Sequence, residues 1–145
     1  MRFQLIDRIV ELVPGERIVA VKAVSLAEEY LGDHFPTFPV LPGVLMLEAM
    51  AEAGAWLVRE ATGFVPAVIL LQSAKNVTYK NFVRPGQVLR VEVTCKERSE
   101  TQSTFQGAGY CEDKQVVKGR FSLVHLSVGD GDVEETRARF ARLRS

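Results

Sequence analysis

Two side chains that can move protons bracket the stretch HFPTFPVLPGVLMLE: His34 opens it and Glu48 closes it. An unperturbed imidazole titrates near neutrality and can act there as a base. Glu48 has Val44, Leu45 and Ala51 at its i−4, i−3 and i+3 positions in a helical pattern. Its carboxyl is therefore expected to lose hydration and its pKa to rise, which suits a proton donor. Between the two, Pro42-Gly43 marks a helix start, since proline is tolerated in a first turn and glycine lets a ligand approach closely. The N–H groups of Gly43, Val44 and Leu45 are expected to point out of that start toward an anion or a developing oxyanion. A base, an acid and backbone donors together suit a β-elimination. The base takes a proton next to a carbonyl, the donors stabilise the enolate-like oxygen, and the acid protonates the departing hydroxyl. By type alone, a single histidine is more often structural than catalytic, whereas a single glutamate in an apolar helix is more often functional.

The elements around these residues must hold them. Pro36, Pro39 and Pro42 stiffen the link between His34 and the helix start. From Gly43 to about Thr62 the pattern is helical and almost without a polar face, which predicts a helix buried nearly all round; Gly63 suits a left-handed C-cap. Residues 3–12 and 17–24 read as strands joined by a Pro14-Gly15 turn, and Ser25 with Glu28 suggests a short helix over 26–31. Strands are expected over 66–80, 88–95, 102–111 and 115–128, with Glu112-Asp113-Lys114 as a hairpin break. Acids followed by arginines predict a C-terminal helix, its arginines a solvated face. The domain is therefore read as α+β: residues 1–128 form one unit, and 129–145 a linker, including GDGD, plus a short helix.

Eighteen basic residues balance eighteen acidic ones in 145, which argues against nucleic acid as the main partner. Glu48 and Glu52 interrupt the longest apolar stretch, the N-terminus lacks the core of a signal peptide, and the expectation is a cytoplasmic chain with no membrane span. Cys95 and Cys111 lack metal-ligand spacing and read as reduced thiols. His125, in SLVHLSV, reads as structural.

The segment HFPTFPVLPGVLMLEAM closely resembles the signature of the FabZ-type 3-hydroxyacyl-[acyl-carrier-protein] dehydratases. LIDRIVELVPGERIVAVKAVS resembles their first hairpin, and YKNFVRPGQVLRVEV a later segment; the similarity spans about residues 4–126. The resemblance implies a hot-dog fold, an antiparallel sheet wrapped round one long helix. It implies dehydration of a (3R)-3-hydroxyacyl thioester on acyl-carrier protein, with no metal or organic cofactor. It also implies a homodimer, in many members a trimer of dimers, whose sites combine the histidine of one subunit with the acid of the other. By position, His34 and Glu48 fall on the catalytic pair and Gly43 on the glycine whose N–H, beside that of Val44, polarises the thioester carbonyl. Phe38 and Leu45 are expected in the acyl tunnel. Lys75, Lys80, Arg84 and Arg90 could meet an acidic carrier protein, although a solvated role is the default for such residues.

Three departures bear on tuning. Asp33 stands where the family usually has glycine, Glu52 where it has glutamine, and Asn81-Phe82 where it has Arg-Pro. Glu48 and Glu52 are four apart and share a helix side, so if both face the pocket one carboxyl should be pushed up further. A hot-dog thioesterase and a non-catalytic acyl-thioester-binding subunit stay open as alternatives.

Overall fold

The computed structural model describes residues 4–28, 30–31, 34–35, 37–66, 68–126 and 133–145. Six antiparallel strands form one sheet: β1 (Arg8–Val13), β2 (Arg17–Ala23), β3 (Val68–Tyr79), β4 (Val88–Arg98), β5 (Gln102–Cys111) and β6 (Lys114–Leu126), in the spatial order β1-β2-β4-β5-β6-β3. A long helix, α1 (Gly43–Ala61), lies against one face, and a second, α2 (Val133–Arg144), follows the sheet. This is the hot-dog arrangement that the resemblance implies.

Local chemistry sets the joints. Between β1 and β2, Gly15 takes φ +74° and the Glu16 N–H donates to Val13 O at 2.9 Å, closing the type II turn. Between β5 and β6, Glu112 and Asp113 both have positive φ, the pairing a tight antiparallel hairpin asks for. At the end of α1, Gly63 has φ +68°; the Phe64 N–H reaches Arg59 O at 2.7 Å and the Gly63 N–H reaches Glu60 O at 3.4 Å, a Schellman closure. Ser25 to Glu28 closes as a turn, with the Glu28 carboxylate accepting from Ser25 N–H at 3.0 Å and the Ser25 hydroxyl accepting from Ala27 N–H at 3.1 Å.

The core lies between α1 and the sheet. Along β5, Ser103, Phe105, Gly107, Gly109 and Cys111 turn inward in strict alternation. Phe105 stacks on Phe121 of β6 with ring centroids 5.1 Å apart, a contact worth about 0.5–1.5 kcal/mol beyond the area it buries. Gly107 leaves the space that Met50 of α1 fills: a Cβ there would stand 2.8 Å from the Met50 sulfur. α2 seats Phe140 against Trp56 and Phe64, with centroids at 5.9 and 5.4 Å.

One expectation fails. α1 is not buried nearly all round, because Val44 is 60% exposed and Glu48 is exposed too. Val44, Glu48, Glu52, Ala55 and Arg59 recur at the spacing of one helical stripe. The sheet wraps the other sides of the helix. This stripe turns toward β3, the edge strand, and the single chain leaves it partly open.

Candidate active site

His34 is fixed by the loop that carries it. Its Nδ1 lies 3.2 Å from Val40 O, and the Val40 N–H donates back to His34 O at 2.9 Å. The ring stacks on Phe35 at 4.3 Å, across a cis peptide bond. Leu41 N–H then donates to Val83 O at 2.8 Å, tying the loop to the segment before β4. With Nδ1–H donated to a carbonyl, the proton-free nitrogen is Nε2, and among the described residues it has no hydrogen-bond partner. The half-buried ring thus presents a lone pair where a base needs one.

The helix start follows. Pro42 caps α1 with extended ψ and no side-chain bond. Leu45 N–H is not available as expected: it donates to Pro42 O at 3.0 Å, because the first turn is tightened. Among the described residues Gly43 and Val44 N–H find no such acceptor. The space beside Gly43 is also filled differently from expectation, since a Cβ there would meet the Tyr79 ring of β3 at 3.0 Å. The missing side chain admits Tyr79.

Glu48 sits one helical turn and a half further on, in the wall of a cavity of about 470 Å³ between α1 and β3. Its neighbours there include Ala51, Glu52, Ala55, Arg59, Ile69 and Leu71. So Glu48 and Glu52 do face one space. Because Glu48 is exposed, its own chain does not supply the desolvation expected for it. Glu52 is the more enclosed of the two. Burial pushes its carboxyl up; the Leu5 N–H, donating to it at 2.8 Å, and the charges of Arg139 and Arg59 hold it back, and Glu48 adds a little upward push.

The remaining expected site residues scatter. Phe38 is 42% exposed and packs edge-to-face on Phe82 at 5.9 Å, with the Arg84 guanidinium 4.9 Å above its ring. Leu45 is partly buried against the core. Neither they nor His34 line the cavity that holds Glu48. Asp33, Pro36 and the GDGD linker lie outside the described residues. Lys75 borders a larger hollow of about 580 Å³ on the sheet, floored by Thr104, Gln106 and Arg120 and touching none of the expected catalytic residues. His125 is 5% exposed and bonded on both nitrogens, to Ser103 Oγ at 2.8 Å and Glu100 O at 3.3 Å. Cys95 and Cys111 are free thiols whose pKa burial pushes up. Among the described residues no cluster of His, Cys, Asp or Glu could hold a metal, and no helix is long and apolar enough to cross a membrane.

Three contributors escape the sequence reading: the Val40 carbonyl behind His34, the Tyr79 ring over Gly43, and Arg59 in the cavity wall. Only Arg59 leaves a signal, as the last member of the stripe that runs through Glu48.

Residues 1–120 match the FabA-like domain. The chain is 37% identical over 122 residues to the 3-hydroxyacyl-[acyl-carrier-protein] dehydratase FabZ of Rhizorhabdus wittichii, covering 83% of this chain and 78% of that one. It is 40% identical over 124 residues to the enzyme of the same name from Symbiobacterium thermophilum, covering 84% and 87%. Among solved structures, the dehydratase heterocomplex ApeI:P from Xenorhabdus doucetiae superposes with a TM-score of 0.69 at 19% identity, over 94% of this chain and 89% of that one. A hypothetical thioesterase protein with coenzyme A from Streptococcus pneumoniae superposes with a TM-score of 0.57 at 13% identity, over 85% and 87%; at such identities both share the fold alone. Sequence match, hot-dog architecture and the HFPTFPVLPGVLMLE segment agree, and the chain belongs to the FabA-like family, among the FabZ-type dehydratases.

Proposed function

We propose that this protein catalyses the reversible dehydration of a (3R)-3-hydroxyacyl thioester on acyl-carrier protein to the trans-2-enoyl thioester, in fatty-acid biosynthesis in the cytoplasm. The observation that carries the mechanism is the anchored ring of His34, with Nδ1 committed to Val40 O. Nε2 removes a proton from C2, and the electron pair forms the C2–C3 double bond as the C3–O bond breaks. Glu48 gives its proton to the departing hydroxyl, which leaves as water. Gly43 N–H, with Val44 N–H beside it and the helix dipole behind, stabilises charge on the thioester oxygen. The two residues act across a homodimer, with His34 from one copy and Glu48 from the other. Support for this comes from the open stripe of α1 beside the unpaired edge of β3, since a second copy seated there would desolvate Glu48.

The test is hydration of a trans-2-enoyl thioester on acyl-carrier protein, followed by loss of enoyl absorbance, with His34→Ala and Glu48→Gln alongside. Formation of the 3-hydroxy product by the wild type and its loss in both variants is expected. A folded, dimeric wild type that releases free thiol instead is a thioesterase, and one that binds without turnover is an acyl-thioester-binding subunit.

A further inference from the structure

The cavity that holds Glu48 has an unusual far end. Along the open stripe of α1 its wall passes from Glu48 through Ala51 and Ala55 to Arg59, with Leu71 and Leu123 opposite. Arg59 lies eleven helical steps beyond Glu48, about 16 Å along the axis. Leu5, Ala51, Ala55, Ile69, Leu71 and Leu123 give an alkyl chain surface to lie on, while Glu48, Glu52 and Arg59 put charge in the same wall. A basic residue in the last turn of a helix usually reaches into solvent and complements the dipole. Arg59 instead is only half exposed at most, lies over Trp56 with 5.0 Å from guanidinium carbon to ring centroid, and borders the cavity. Among the described residues no carboxylate stands within 4.0 Å of it and no hydrogen bond uses its five N–H donors.

The charges nearby compensate it only at a distance. Glu52 is the carboxylate that stabilises Arg59, but Arg139 of α2 acts on that carboxylate as well. Glu52 lines the slot and, with Arg139, also borders a second hollow of about 180 Å³ next to it. One Glu52 oxygen is already taken by Leu5 N–H. Arg139 also lies 5.5 Å from the Trp56 centroid, so two guanidinium groups crowd one ring and one carboxylate. α2, which supplies Arg139, lies beyond the residues that match the family domain. Burial and Arg139 both weaken the hold of Arg59 on its proton, Glu52 opposes them, and an anion beside the guanidinium would act in the same direction as Glu52.

Resting on the dehydratase reading above, we propose that Arg59 is a specificity-determining residue: the acyl chain lies along the slot with its far end at the guanidinium, and the favoured substrate carries a carboxylate there. A carboxylate matches the planar fork of an arginine and offers it acceptors in place of water, whereas a methyl end would desolvate the cation without doing so.

The test compares 3-hydroxyacyl thioesters on acyl-carrier protein of equal length, one ending in methyl and one in carboxylate, with 3-hydroxybutyryl thioester as the short reference. For wild type, kcat/KM for the carboxylate-ended chain is expected to exceed that for the methyl-ended chain by about tenfold or more, the scale of one charge-assisted hydrogen bond. Arg59→Met is expected to abolish or reverse that ratio and Arg59→Lys to keep part of it. Because the wild-type ratio is itself a readout, the inference stays testable if Arg59→Met fails to fold. Turnover of the short thioester with equal or better use of the methyl-ended chain overturns this inference and leaves the dehydratase reading standing. No turnover of any of the three by folded protein overturns both.

Discussion

His34 and His125 hold one ring nitrogen in the same way, with Nδ1 against a backbone carbonyl at 3.2 Å from Val40 O and 3.3 Å from Glu100 O. They differ in the fate of the other. Nε2 of His125 meets the Ser103 hydroxyl at 2.8 Å inside the sheet, so every ring valence is spent on the fold. Nε2 of His34 meets no described residue, and the ring sits on a loop at the mouth of α1. A carbonyl on Nδ1 therefore identifies a fixed tautomer and nothing more; chemistry depends on whether the second nitrogen is left over.

Exchanging the two environments' losses is the sharpest way to test this contrast. His34→Ala should lower kcat/KM for enoyl-thioester hydration by about 10²–10⁴-fold, the usual share of a general base, with little change in the melting curve. Retention of activity would erase the distinction between the rings. His125→Ala should do the opposite. It strands the Ser103 hydroxyl in the sheet, frees the Glu100 carbonyl in the β4–β5 connection and opens a small void, which costs about 2–3 kcal/mol by urea denaturation, while the folded fraction keeps its turnover. Ser103→Ala removes only the hydroxyl partner and should cost about 1 kcal/mol.

The smallest effect is one of pH. Burial, with Arg98 assisting against the Glu100 carbonyl, holds the His125 pKa below its ordinary value. The unfolded chain then binds the extra proton more readily than the fold. The contribution of His125 to stability is complete above the unfolded pKa and is lost as pH falls from there toward the folded one. Urea midpoints at pH 7 and pH 5.5 should therefore drop further in wild type than in His125→Asn; equal drops would mean that the ring is not held neutral.

The sequence is legible where one local rule decides. Alternation placed β4, and the glycines at 15 and 63 took the left-handed conformations assigned to them. It is silent where a distant group decides. Leu5 and Ile6 are apolar and buried as strand residues would be, yet β1 begins only at Arg8, because Leu5 N–H turns away to the Glu52 carboxylate. Likewise nothing near Gly43 announces Tyr79, which arrives from the end of β3. His34 and Glu48 stand out by type and spacing, but the single chain does not bring the two to one cavity. The openness of the Glu48 stripe was not readable, because an apolar pattern reports what prefers to be covered and not what covers it.

The missing side chain at Gly107 has a consequence for how this protein can drift. The Met50 sulfur occupies the place a methyl would need, and Phe121 stands 3.2 Å away on another side. A larger residue at 107 is therefore admissible only together with a smaller or redirected one at 50. Relatives that differ at one of these positions should differ at the other, so the seam between helix and sheet changes by paired steps while either step alone is selected against.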